Sequence, residues 1–202
     1  MRQKQPRQSG EGGNAIIEFA ITFPVLILVL FGVVTGGLVF DRYMTVVQLA
    51  RNAASMFARG GDFATDDNKN VLLLGAQGLN LALTSGDGVI YLTRVHKAPP
   101  GTPNDGALVI AERHEIGDNS YASSSVGQPN ASIWPNPDLP SPNGDVKDPN
   151  EEGSAVAQVP TPLQTLPLGE SMYVVEIFHS ADNINFGGVW NSNPRLHSIV
   201  YF

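Results

Sequence analysis

Two periodicities divide this chain. From Phe19 to Phe40 the sequence runs twenty-two residues without a charge, and about 20 apolar residues suffice to cross a bilayer as a helix. Beyond Asp41 the apolar positions thin to helical spacing. Tyr43, Val47, Ala50, Ala54 and Phe57 recur at intervals of four, three, four and three, which puts them on one stripe. Arg42, Gln48, Arg51, Asn52, Ser55 and Arg59 fill the other faces. Gly60-Gly61 supplies a stop, with Arg59 in the last turn where a cation suits the helix dipole. The pattern predicts one helix from Asn14 to Arg59, forty-six residues or about 69 Å at 1.5 Å per residue. Residues 14–40 form its transmembrane segment and 41–61 its amphipathic continuation, whose stripe must lie on a globular domain.

Past Gly61 the period changes. Asp66, Asp67 and Asn68 offer caps for a helix with Leu72, Ala76, Leu79 and Leu83 on one face, weakened by Gly75 and Gly78. Gly86-Asp87-Gly88 is turn chemistry. Val89 to Val95 alternates Ile90, Leu92 and Arg94 against Val89, Tyr91, Thr93 and Val95, which predicts a strand. Ala107 to Glu115, Ser171 to His179 and Leu196 to Phe202 predict three more. Glu176 then reads as the solvent face of its alternating strand. Hairpin connections and little helix make residues 62–202 a small α+β domain with a largely antiparallel sheet, on which the long helix packs.

Residues 117–170 break that scheme with a long irregular insertion. It holds nine of the fifteen prolines, many Ser and Asn, and few large apolar residues. Structureless loops of this length are uncommon in compact domains and tend to be disordered or functional. Two readings stand: a disordered insertion, or a surface loop that contacts another subunit or an external target. In the second, Trp134 is the contact residue, because tryptophan is a common interface anchor.

Charge orients the chain. Arg2, Lys4 and Arg7 against Glu11 make residues 1–13 a net-positive leader, while from Asp41 onward there are nine Lys/Arg and seventeen Asp/Glu. A basic flank before the span and an acidic domain after it put the N-terminus in the cytoplasm and the domain outside. The acidic balance disfavours nucleic acid, whose phosphates need clustered Lys/Arg. With no cysteine, disulfides and thiolate metal sites are excluded.

Enzyme chemistry finds little footing. His96, His114, His179 and His197 show no metal-ligand spacing. Glu112, His114 and Glu115 make at most a surface cation site, and the acids Asp145, Asp148, Glu151 and Glu152 lack the positional pattern of a calcium loop. There is no Gly-x-Ser-x-Gly elbow and no phosphate loop. No cofactor, metal or small-molecule substrate is implied.

The junction at the start of the span is more informative. Glu18 stands at the head of the apolar run, and a charge in hydrocarbon costs several kcal/mol. A cleavable secretory signal, ending near Val34-Thr35-Gly36, would have a shorter apolar core. A plain signal anchor explains the length and the flanking charges, and leaves Glu18 as a cost. Pro24 removes a backbone hydrogen bond and crowds the Ala20 carbonyl, so a kink or melted turn is expected there. Gly32 and Gly36 have the small-xxx-small spacing that lets helices approach closely.

Gly13, Glu18 with Phe19 after it, and Pro24 six residues past the glutamate are followed by a helix carrying Gln48, Ala50, Arg51, Ala53, Ala54, Ala58 and Arg59. Over roughly Gly13 to Gly61 this resembles the TadE-like minor pseudopilins of tight-adherence (Flp-type) pili. Many tight-adherence pilins carry tyrosine after the glutamate, where this chain has Phe19. The resemblance implies a leader, residues 1–13, removed after Gly13 by a prepilin peptidase, with N-methylation of Asn14. It implies roles for Glu18, Phe19 and Pro24 in recognition and assembly, and for Gly32 and Gly36 in helix contacts. The partners it implies are other pilin-like subunits, the inner-membrane pilus assembly platform and membrane lipid. A single-pass bacterial inner-membrane protein, its domain exported or carried into an extracellular pilus, follows from the same likeness. The alternative is a signal-anchored exported binding or adhesion protein that never enters a filament.

On this reading Gly13 lets the peptidase bring the backbone close, which a branched side chain would block. Intact mass of membrane-extracted protein should show a wild-type chain beginning at Asn14, and Gly13→Val should accumulate the full-length precursor. A wild-type protein that keeps residues 1–13 contradicts the reading.

Overall fold

The computed structural model describes residues 11–134, 143–160, 165–180 and 195–202. A 48-residue helix, α1 (Glu11–Ala58), begins and ends within three residues of the span that periodicity predicts. The chain divides into two compact units at the Asp41–Arg42 bond.

In the first unit the helix is apolar all round, and its side chains lie open: Ile16, Ile21, Leu26 and Val33 are each about two-thirds exposed. Among the described residues α1 is the one helix long and apolar enough to cross a membrane. It continues through Pro24 without a break, where a kink or melted turn was expected. The Thr22 hydroxyl donates to the Glu18 carbonyl at 2.8 Å, and the Thr35 hydroxyl to the Phe31 carbonyl at 2.8 Å. Each hydroxyl is thereby satisfied without water, as hydrocarbon requires.

The second unit, Arg42–Phe202, is built on a five-stranded antiparallel sheet, so the fold is α+β. Its strands are β1 (Gly88–Lys97), β2 (Leu108–Gly117), β3 (Asn143–Asp145), β4 (Ser171–Ser180) and β5 (Arg195–Tyr201), in the order β3-β2-β1-β4-β5. The four strands expected from alternation are present within two residues at each end. β3 was not expected. β1 lies at the centre, paired with both β2 and β4. Register shifts between Arg94 and Val95, which leaves Ala111 of β2 as the extra residue of a bulge. The displaced Ala111 carbonyl accepts from Val146 N at 2.8 Å.

Register assigns the two faces. Ile90, Leu92, Ile116, Val175 and Ile177 share one face with His114. There the ring of Phe57 meets His114 and Tyr173 edge-on, at 5.8 and 5.1 Å. The C-terminal part of α1 covers this face with Val46, Leu49, Ala50, Ala53, Ala54 and Phe57, all buried. The observed stripe is therefore wider than the expected one and rotated from it: Tyr43 is 42 % exposed and Val47 half-buried. A second helix, α2 (Asp66–Leu74), is shorter than expected, with Thr65 rather than an acid at its N-cap. Leu72, Ala76 and Leu79 are buried as predicted, but Ala76 and Leu79 belong to turns. Gly75 caps the helix and Gly78 takes a positive φ of 89°, which a continuing helix does not allow.

The opposite face is where the structure departs most from the sequence pattern. Val95, Leu108, Ile110, Met172 and Val174 form a core cluster with Val126, Ile133, Trp134, Val146, Ala155 and Val159. All six of those partners come from the 117–170 stretch. Its described residues include two single-turn 3₁₀ helices, Ala131–Ile133 and Gly153–Ala155. Backbone hydrogen bonds fasten them down: Ala157 N to the Leu108 carbonyl at 2.7 Å and Gln158 N to the Val126 carbonyl at 2.6 Å. So far as it is described, this stretch is a second covering layer, not a disordered loop. Residues 135–142 and 161–164 lie outside the described residues. Trp134, expected as a surface contact, is only 6 % exposed and belongs to the core.

A sheet covered on both sides explains why β1, β2 and β4 are nearly continuously buried. Ala50 and Ala54 are fully buried against it, so an aspartate at either position places an unpaired charge in the core. Ala50→Asp or Ala54→Asp should lower domain stability by roughly 3 kcal/mol or more, read by denaturant unfolding of the detergent-solubilised chain. Membrane insertion should be normal. Unchanged stability would mean that residues 42–58 are a stalk separate from the sheet.

Candidate functional site

The expected site residues fall into two groups with different surroundings. On α1, Gly13 and Asn14 lie in the first turns of the helix. Glu18 is exposed, and its carboxylate makes no hydrogen bond or ion pair with any described residue. Phe19, 61 % exposed, stacks on Phe23 with ring centroids 5.1 Å apart. At Gly32 and Gly36 an added Cβ would meet nothing within 4 Å. Among the described residues these glycines bring no surfaces together.

The second group was missed by sequence reasoning. On the sheet face under the 118–134 layer, Arg113 and Glu176 are fully buried, with Tyr91, Thr93, Glu115 and Ser124 each less than a tenth exposed. Glu176 was expected on a solvent face; the covering layer puts that face inside. The Arg113 guanidinium donates to Thr93 Oγ1 at 3.1 Å, to the Gly127 carbonyl at 2.7 Å and to Ser124 Oγ at 3.0 Å. It also lies over the Tyr91 ring, 5.6 Å from the centroid. Ser124 Oγ donates in turn to Glu176, whose other oxygen accepts from Ser125 N at 3.0 Å and from the Ser125 hydroxyl. A serine hydroxyl thus bridges the two buried charges. Burial pushes the Arg113 guanidinium down, against the pull of Glu115 and Glu176.

Register places Glu115, Tyr91 and Glu176 side by side across β2, β1 and β4. Glu115 is far less well served than Glu176. One oxygen accepts a long 3.3 Å bond from Asn119; the other is buried with no hydrogen-bond partner among the described residues. Burial pushes its carboxyl up to about 7. The clue in the sequence was available: Arg113, Glu115 and Glu176 interrupt runs otherwise rich in Ile, Val and Ala. Such charges have two explanations, a wet face or a buried pair, and only the covering layer decides between them.

The α1-side face carries a smaller polar group. Buried His114 contacts Asn143 at 2.6 Å and Glu112 at 2.8 Å, and Glu112 accepts from Arg94 at 2.7 Å. Hydrogen bonding from His114, with Arg94 beside it, holds the Glu112 carboxyl below its ordinary range despite partial burial. Arg94 also pairs with Asp145 at 2.9 Å, and Asn143 donates to the Ala64 carbonyl at 3.1 Å. This group ties β3 to the turn after α1. Glu112 and His114 face one way and Glu115 the other, so the three do not form the cation site that their proximity in sequence suggests. His96 contacts Asn150 at 2.9 Å and His197 stacks on Phe178 at 4.2 Å. The histidines are dispersed over the sheet, and no group of three His, Cys, Asp or Glu among the described residues is arranged to hold a metal.

What distinguishes the chain is the exposed apolar helix with one carboxylate near its head. Residues 13–55 match the family described as TadE-like protein. The N-terminal segment is TadE-like. That family is associated with the tight-adherence pilus and is structural rather than enzymatic. The match covers α1 up to Ser55; the sheet domain lies outside it. No curated protein and no solved structure matches the chain.

The buried network yields a direct test. Arg113→Met removes the guanidinium and leaves Glu176 in the core without a countercharge. Breaking a buried pair on one side costs about 3–5 kcal/mol. Denaturant unfolding of the variant should show a loss of that size, with chymotryptic cleavage at Tyr121 that the wild type resists. A loss under about 1 kcal/mol would mean that the pair is solvated.

Proposed function

We propose that the chain is a pilin-like structural subunit, a minor pseudopilin that takes part in assembling or priming a tight-adherence-type pilus. The observation that carries this is the TadE-like match over residues 13–55 on a helix whose apolar surface is open and holds a single carboxylate, Glu18. A prepilin peptidase removes residues 1–13 by cutting between Gly13 and Asn14, with Phe19 and Pro24 part of what it and the assembly machinery recognise. The protein sits in the bacterial inner membrane, N-terminus cytoplasmic and sheet domain exported. There it meets other pilin-like subunits and the assembly platform.

Glu18 gives the assembly step a physical cause. Cleavage creates an α-amine at Asn14, one helical turn from Glu18. A lone carboxylate in lipid is costly, and the amine of a neighbouring subunit relieves it by pairing. The pairing also sets an axial register between helices. Gly32 and Gly36 leave room for a neighbouring helix to come close. The rival reading, a signal-anchored binding protein outside any filament, draws on one observation: everything beyond residue 55 is outside the family match.

Glu18→Gln keeps the shape and removes the charge. It should be inserted and cleaved like wild type yet fail to co-purify with pili, as should Glu18→Val. Normal co-purification of Glu18→Gln would sink the pairing idea, leaving Glu18 as a residue that reaches to the cytoplasmic headgroups. A wild-type protein that is never cleaved and never co-purifies would favour the rival.

A further inference from the structure

We propose that Glu115 is a pH-operated latch on the exported domain: uncharged, it lets residues 118–126 close over the sheet, and ionised, it releases them. The pocket between the sheet and the 118–126 strap encloses one guanidinium, Arg113, and two carboxylates, Glu115 and Glu176. Only one carboxylate can be ionised without leaving a net charge in the core. The hydrogen bonds decide which. Glu176 accepts three, from Ser124 and from the amide and hydroxyl of Ser125. Glu115 has one long bond from Asn119 and an oxygen that meets no donor among the described residues. It is the member held neutral.

Desolvation favours that state, against the Asn119 hydrogen bond and the Arg113 charge. Tyr91 faces Glu115 from β1 and Glu176 from β4. Beyond Glu176, β5 presents Ile199, with Tyr201, His197 and Arg195 on the same face. His197 is stacked on Phe178 and Arg195 lies over Tyr121, so neither countercharges Glu115. The strap itself brings Asp118, a solvent-exposed acid bonded to Ser120. Arg113 is the one cation near enough to stabilise the anion, and its three hydrogen bonds are committed to Thr93, Ser124 and Gly127. Burial accordingly holds the carboxyl near 7.

The strap is mechanically suited to respond. It leaves β2 at Gly117, whose φ of 108° a side chain would strain and whose Cβ would sit 2.3 Å from the Gly88 carbonyl. It is hinged there by Asp118 N on the Gly88 carbonyl at 2.9 Å, and Tyr91 donates its hydroxyl to the Ala122 carbonyl. An acid whose folded pKa is raised contributes stability that is present below its unfolded pKa and lost as pH rises through the folded one. The closed strap is therefore favoured in acid and weakened through neutrality, and its opening uncovers Tyr91 and Val126.

Hydrogen exchange of the full-length chain in detergent, corrected for the intrinsic pH dependence of exchange, tests this. Between about pH 5.5 and about pH 8.5, protection of residues 118–126 should fall roughly thirtyfold, while β4 stays protected. Glu115→Gln should keep its protection at both values. Wild-type protection that does not change with pH, or a Glu115→Gln chain that loses it like wild type, overturns the proposal. If Glu115→Gln does not fold, difference infrared spectroscopy of the wild type decides. A buried carboxylic-acid band that disappears as pH rises through about 7 supports the latch, and its absence at the lower pH overturns it.

Discussion

A strand covered on both faces has no solvent side on which to place a charge. Every polar side chain in β1, β2 and β4 must then find its partner inside, and this constraint shapes the sheet domain. Arg113 and Glu176 sit diagonally across β1 and are joined through Ser124 Oγ, a residue of the strap and not of the sheet. The pair is incomplete without the strap, and the strap has few apolar residues with which to hold itself down. Each makes the other affordable in free energy, because an uncompensated buried charge costs several kcal/mol and an unanchored loop loses its entropy for little return. Around that junction the sparse apolar residues of the layer, Val126, Ile133, Trp134 and Val146, complete the core.

The opposite face works by ordinary packing. The alanines of α1 let the helix backbone lie close to the sheet, and Phe57 fills the end of the interface against His114 and Tyr173. One continuous helix thus has two environments: among the described residues its first part lies open, while its last part is buried in the sheet domain. Glu18 belongs to the first part, and its carboxylate has no partner among the described residues. The network around Arg113 is satisfied within the chain, apart from Glu115, so its role is in the domain's own integrity.

What could be read from the sequence follows from local chemistry. The strands were legible because β-branched and aromatic runs bounded by glycine have few other uses. The long helix was legible from its charge-free run and its stripe, though alanine is too small to fix the phase, and Val46, Leu49 and Ala53 were left out. The extent of α2 was lost because Gly75 and Gly78 act through backbone conformation rather than pattern. β3 was invisible: Asn143-Gly144-Asp145 contains no strand former. The covering layer was the largest omission. Val126, Ile133, Trp134, Val146 and Val159 have no period, since an irregular segment meets the core wherever its path allows. Without the layer, Glu176 reads as solvent-facing and Trp134 as exposed, and both readings fail together.

Arg113 and Glu176 act as one unit bridged by the strap, and a double-mutant cycle measures their coupling. Arg113→Met, Glu176→Met and the double variant would be compared by denaturant unfolding of the full chain. If the charges are buried and mutually dependent, each single change leaves an orphan, and removing both relieves it. The double variant should then cost about 2 kcal/mol or more less than the two singles added together. Additive costs would show that Arg113 and Glu176 are solvated separately, and the two-sided burial of the sheet would be wrong at its centre.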